Sequence, residues 1–380
     1  AAHYLDASAG AYAARAPTDS PPTDPTAAAA GRRVLEGVVL AGACALVAFL
    51  VANPYALLDF HRFRSELIHQ SDLSDEAQGK LGAPKEIGIL YYLWSFTWGL
   101  GWVPALAALG GAVTIWRRHA RVGWLLVPAA ALFLAFMGLQ DRYFGRWLLP
   151  IFPIACLLGA YFALALRPRW TAAVGALAGT VLVAVLLAQG LIYSVHNDLV
   201  LSRADTRNLT REWMLAHIPR GTAVVVEPVV LNEWIDERPG EASAKRWLKY
   251  GALQSVIDAH GKLSPQTIHP VALEDYETTL APALIGWYEQ LGYCWVVTGS
   301  TESGRAFADP SAAPLAVAYY HALATSAEVA YSVSPYSPGA KPPAFSFDWT
   351  FDYYPLSYER PGPQMTVYRL LGGRCARARS

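Results

Sequence analysis

The sequence predicts a helical membrane protein of about five transmembrane helices followed by an extracytoplasmic α/β domain. Three observations carry that expectation. Of 380 residues, 54% are hydrophobic and 16% charged, against roughly 45–50% and about 25% in ordinary globular chains; the mean hydropathy is positive, at +0.24. Five apolar stretches between residues 34 and 195 each approach or exceed the roughly 20 residues that cross a hydrocarbon core about 30 Å thick. Beyond residue 196, helical periodicity alternates with short strand-like runs, as in an α/β domain. A soluble bundle is disfavoured because its helices rarely stay apolar on every face.

Residues 1–33 are rich in Ala, Pro, Thr and Asp and end in Arg32-Arg33. A segment such as APTDSPPTDPTAAAAG buries too little surface to offset its ordering entropy and reads as a flexible cytoplasmic linker. It is not a signal peptide, since the basic pair stands at its end and the next apolar run is of spanning length. The chain begins with Ala, so the sequence is expected to be a fragment or a processed product. The expected spans are 34–52, 88–116, 122–139, 147–166 and 170–195, with an outside loop over 53–87. Basic residues cluster at Arg32-Arg33, at Arg117, Arg118 and Arg121, and at Arg167 and Arg169. All three clusters fall on one side if every span crosses, and that side is the cytoplasm. The turn at 140–146 and residues 196–380 are then outside the cytoplasmic (inner) membrane.

In the outside domain, ADTRNLTREWMLAHIP reads as a helix with Asp205 as its N-cap. TAVVVEPVV is a buried strand, PALIGWYEQLGYCWVVTGS a helix then a strand, SAAPLAVAYYHALATSA a helix, and AEVAYSVSP and QMTVYRLL strands. The dinucleotide, P-loop, nucleophile-elbow and zincin motifs are all missing. Thirty basic against 30 acidic residues leave no basic excess for nucleic acid. Four Cys without CxxC spacing exclude a disulfide scaffold and a zinc ribbon. Cys44 and Cys156 lie inside spans as packing residues. Cys294 and Cys375 share the oxidising side, and their pairing is left open.

Candidate chemistry lies in the two outside loops. Gln140-Asp141-Arg142-Tyr143-Phe144-Gly145-Arg146 puts two arginines where basic residues should be scarce. Guanidinium groups bind phosphate oxygens bidentately and stay charged when partly desolvated, so Arg142 and Arg146 are candidate lipid-phosphate ligands. Snorkelling anchors at lipid headgroups are the competing reading. In NPYALLDFHRFRSELIHQSD, apolar residues recur at helical spacing, as in an interfacial helix lying on the membrane. Asp59, His61 and Arg64 on it are candidates for a phosphosugar headgroup, against the plainer reading of a solvated face. His61 and His69 lack a third ligand, so no metal site is expected, although a divalent cofactor cation is left open.

NPYALLDFHRFRSELIHQ, YYLWSFTWGLGW and DRYFGRWLLPIFP together resemble the second half of GT-C glycosyltransferases. Within them the likeness is to the bacterial protein-mannosyltransferase-like and aminoarabinose-transferase-like branch. DTRNLTREWMLAHIPRGTAVVVEP and FDYYPLSYERPGPQMTVYRL are similar to the extracytoplasmic domain of many members, so the resemblance covers about 34–372. It implies transfer of a sugar from a polyprenyl-phosphate carrier, with inversion, to a protein, lipid or glycan acceptor outside the membrane. It also implies a catalytic carboxylate in an earlier outside loop. Since the first span here leads directly into the NPY segment, that general base is expected in a missing N-terminal half. Arg142 and Arg146 would stabilise charge on the leaving phosphate. The alternative expectation is a membrane-anchored envelope binding or assembly protein. A transporter is a weaker third, since ionisable residues inside the spans are nearly absent.

Overall fold

A computed structural model of the protein describes residues 25–75, 87–140, 144–166, 172–238, 244–250, 256–257, 263–264, 273–343, 345 and 354–379. Among the described residues the chain divides into two compact units, the first ending at Gly190 and the second beginning at Leu191.

The first unit is helical. α1 (Pro25–Ala52) starts earlier than the expected linker allows. Residues 25–33 belong to the helix because the Ala27–Ala30 run has high helix propensity; Arg32 also pairs with Glu36 one turn on, at 2.9 Å. Pro54 follows its end, and two further helices occupy the expected loop, α2 (Tyr55–Leu58) and α3 (Phe60–Asp75). Next come α4 (Gly88–Phe96), a π-turn (Thr97–Gly101) and α5 (Trp102–Arg118), one long apolar rod interrupted near its middle. α6 (Ala120–Gly138), a 3-10 turn (Gly145–Leu148), α7 (Phe152–Ala165) and α8 (Ala172–Leu201) complete the series.

Among the described residues, four helices are long and apolar enough to cross a membrane: Leu35–Ala52, Gly88–Arg118, Ala120–Gly138 and the one that begins at Gly175. The stretch 147–166, expected as another span, holds a shorter apolar helix. Pro150 and Pro153 have no N–H to give a helix, so the chain makes its 3-10 turn first and the α-helix starts only at Phe152. Its 14 residues reach about 21 Å at the helical rise, against a core of about 30 Å.

Small residues set the packing of this short helix. Ala107, Ala108 and Gly111 of α5 and Ala155, Leu158 and Gly159 of α7 are buried. A Cβ on Gly111 would run into the carbonyl oxygen of Leu158, so only glycine permits the two backbones to approach this closely. Gly88 does the same for α4 and α6: its Cβ would stand 2.7 Å from the carbonyl oxygen of Gly138.

The second unit is α/β. Its strands are β1 (Ala223–Val226), β2 (Leu248–Lys249), β3 (Val256–Ile257), β4 (Leu263–Ser264), β5 (Trp295–Gly299), β6 (Glu328–Val333) and β7 (Met365–Arg369). Five of them form one sheet in the order β2-β1-β5-β7-β6, and β3 pairs with β4 apart. β1 runs parallel to β2 and β5, while β7 lies antiparallel between β5 and β6. The helices are α9 (Thr206–His217), α10 (Ala283–Leu291), α11 (Ser300–Ala308) and α12 (Pro314–Ser326). Asp205 caps α9, accepting from the Arg207 N–H at 2.8 Å, as its sequence position predicts.

Alternation along β1 divides the core. Val225 and Val296 turn to one face, under Leu284, Tyr288, Tyr319 and Leu323 of α10 and α12. Val224, Val226 and Val297 turn to the other, under Met214 and Ile218 with Trp234 and Trp247. Cys294 and Cys375 form a disulfide, with Cα atoms 5.3 Å apart, which settles the pairing that the sequence leaves open.

Candidate functional site

Arg146 stands in the 3-10 turn Gly145–Leu148, exposed, with its guanidinium carbon 4.4 Å from the Phe144 ring centroid. That cation–π contact orients a charged head beside a buried ring. The turn is anchored from within: Leu148 and Ile151 are buried against Tyr91 and Tyr92 of α4, and Ile151 donates to the Leu148 carbonyl at 2.8 Å. Phe144 and Trp147 meet edge to face at 5.3 Å. Arg142 and Asp141 lie outside the described residues.

Beside this turn is an apolar groove of about 330 Å³, whose lining runs from Leu93 and Phe96 past Leu100 and Leu134 to Ile151 and Leu158. Its rim is exposed: Leu106 and Leu109 are 62% and 66% exposed, on a helix long and apolar enough to cross a membrane. Ile151 belongs both to the groove lining and to the packed end of the arginine turn. One wall of the groove is the π-turn, through Thr97, Leu100 and Trp102. Gly101 there has φ of 106°, a conformation that favours glycine. Gln189 of α8 bridges the two ends of the turn, donating from Nε2 to the Thr97 carbonyl at 2.9 Å and accepting on Oε1 from the Trp102 N–H at 2.9 Å.

Asp59, His61 and Arg64 sit at the start of α3, all exposed. Asp59 serves the helix itself. Its carboxylate accepts the Arg62 N–H at 3.2 Å and its carbonyl accepts the Phe63 N–H at 2.9 Å, closing the first turn. Phe63 packs against Phe49 of α1, centroids 6.2 Å apart. The outward apolar row includes Tyr55, Leu57, Leu58, Phe60 and Leu67, all exposed. Thus α3 is placed by α1, whereas Arg146 is placed by α4.

The second unit holds a cluster that sequence reasoning missed. Glu227 follows β1 at the carboxyl edge of the parallel strands, where β2 and β5 diverge to either side. It is fully buried, accepting the Gly299 N–H at 3.0 Å and the Tyr320 O–H at 2.9 Å. Burial pushes its carboxyl up to about 8. Glu277 and Glu302, both buried, share Arg305, whose Nη1 lies 3.6 and 3.5 Å from them. Burial raises both carboxyls, Glu277 to about 9 with Glu302 beside it. The signal was present in VVVEP: an acid two residues beyond a core valine, on the same face of the strand.

Among the described residues, no group of three or more His, Cys, Asp or Glu side chains is arranged to hold a metal ion. Comparisons with family models, curated proteins and solved structures gave no match.

Proposed function

We propose that this chain takes part in glycosyl transfer at a membrane, holding a polyprenyl-phosphate-linked sugar donor while the sugar passes to an extracytoplasmic acceptor. The observation that carries this reading is the shared scaffold of Arg146 and the apolar groove. A guanidinium on a turn that shares Ile151 with an apolar slot suits a ligand with a phosphate head and a hydrocarbon tail. The tail would lie against Leu93, Leu100 and Leu158, and the head at the Phe144–Leu148 turn. As the sugar leaves, charge grows on the phosphate, and a positioned arginine lowers the barrier by stabilising it. Arg142, three residues before Gly145, shares that role in this reading. Asp59, His61 and Arg64 take a lesser part at the headgroup. The membrane is the cytoplasmic one; the α/β unit lies on its outer side when α7 and the 3-10 turn ahead of it together complete a fifth crossing.

The test is transfer of labelled sugar from a polyprenyl-phosphate sugar by membranes carrying this protein. Arg146→Ala and Arg142→Ala should each lower turnover by roughly 100-fold or more, the scale of a lost transition-state charge partner, at unchanged expression. Normal turnover in both variants would sink the phosphate-binding role.

A second reading, an envelope binding or assembly protein without its own catalysis, draws on the α/β unit. That unit has a core on both faces of its sheet and a disulfide of its own. Capture of an envelope glycan by the α/β unit, together with full tolerance of the arginine variants, would favour it.

A further inference from the structure

Gln189 is a carboxamide in a stretch of α8 otherwise built of Leu, Val, Ala and Gly. Its side chain meets the Thr97 carbonyl and the Trp102 N–H, the i and i+5 groups that bracket the π-turn. A continuous α-helix would have satisfied both internally. In hydrocarbon no water replaces the missing partner, so an unmet backbone group there is costly. The turn also leaves no room for an alternative: a Cβ on Gly101 would stand 3.2 Å from Gln189 Oε1. One side chain therefore holds the backbone that forms the groove wall.

We infer that Gln189 is a positioning residue, a latch that keeps the Thr97–Trp102 wall displaced so that the groove admits the hydrocarbon tail of a phosphate-headed lipid. The identity of that lipid as a glycosyl carrier rests on the function proposed above; the latch itself rests on the hydrogen bonds. Three observations select a lipid tail as occupant. The lining is apolar apart from Thr97, whose hydroxyl is engaged with the Trp94 carbonyl at 2.6 Å. The rim at Trp102, Leu106 and Leu109 is exposed on a span, continuous with the surface offered to the bilayer. At Ile151 the groove meets the turn that bears Arg146. Without the latch the two groups would pair with each other across the turn or rewind toward a regular helix, and the wall would move into the slot.

The experiment measures binding of geranylgeranyl phosphate, an isoprenoid monophosphate, to the full chain in nanodiscs by native mass spectrometry. Gln189→Leu should weaken binding roughly tenfold, the scale of about one net hydrogen bond no longer holding the wall open. Gln189→Glu keeps both bonds only while its carboxyl is protonated. It should bind like the wild type at low pH and lose affinity as the pH rises, which a merely structural role would not produce. If Gln189→Leu fails to fold, the pH arm of Gln189→Glu decides alone. Wild-type affinity in both variants at every pH, or no binding by the wild type, overturns the inference. If the Gln189 variants bind normally while Arg146→Ala does not, the latch falls and the donor-holding function survives. If the Gln189 variants lose the probe but the wild-type protein transfers no sugar, the latch stands and the donor-holding function falls.

Discussion

Glu227 occupies a position where strand alternation calls for another valine, and its carboxyl is kept from ionising by burial, Gly299 and Tyr320 notwithstanding. Such an acid makes stability fall with rising pH. Below the unfolded value of 4.5 both states are protonated and nothing is lost. Above it the unfolded chain ionises first and gains, so the folded state loses ground until the folded value of about 8 is passed. Glu277, raised to about 9, acts in the same direction and extends the window upward. The unfolding temperature of the α/β unit is therefore expected to fall between about pH 5 and pH 9, followed by circular dichroism. Glu227→Gln should flatten that slope and leave the variant more stable than the wild type at the alkaline end. A flat wild-type profile would show that the three acids ionise without penalty. At this scale the sequence was informative where charge stood out against its surroundings. Arg146 is conspicuous in a short turn between apolar runs, and so is the N-cap Asp205. Glu227 and Gln189 were not legible, because each is defined by a partner remote in sequence: Tyr320 for the first, a π-turn for the second.

Among the elements, the contact of α5 with α7 depends most on a single position. Gly111 is where the two backbones meet, and Gly111→Val should cost about 1–3 kcal/mol by overpacking, read as an earlier midpoint in detergent unfolding of the helical unit. The same change at Gly175, where a Cβ would meet nothing within 4 Å, should leave the midpoint unmoved. In the α/β unit, Asp205→Ala should cost about 1 kcal/mol through the lost cap, measured by denaturant titration. The long helices and the expected elements of the α/β domain were readable from periodicity, since each buries one face or none. The length of α7 was not, because hydropathy counts residues and overlooks that Pro150 and Pro153 postpone the helix start. Nor was α11, whose buried face carries Glu302 and Arg305 where an apolar pattern would be sought.

At the scale of the whole molecule, the disulfide ties Cys294, just before β5, to Cys375, just after β7, across 81 residues. Cys294→Ser or reduction should destabilise the α/β unit by about 2–5 kcal/mol, seen as a lower unfolding midpoint. An unchanged midpoint would mean that the adjoining ladder suffices. The position of β7 has a consequence for how the molecule is made. It lies inside the sheet although it is the last strand along the described chain, and among the described residues β6 pairs with no other strand of that sheet. During synthesis, β5 and β6 must therefore emerge with open edges, and neither can close until residues 365–369 arrive. Open strand edges recruit other chains, so a ribosome stalled shortly before Met365 would release an aggregation-prone product. The unit is thus bound to assemble after translation of its final strand, with disulfide closure following rather than guiding it.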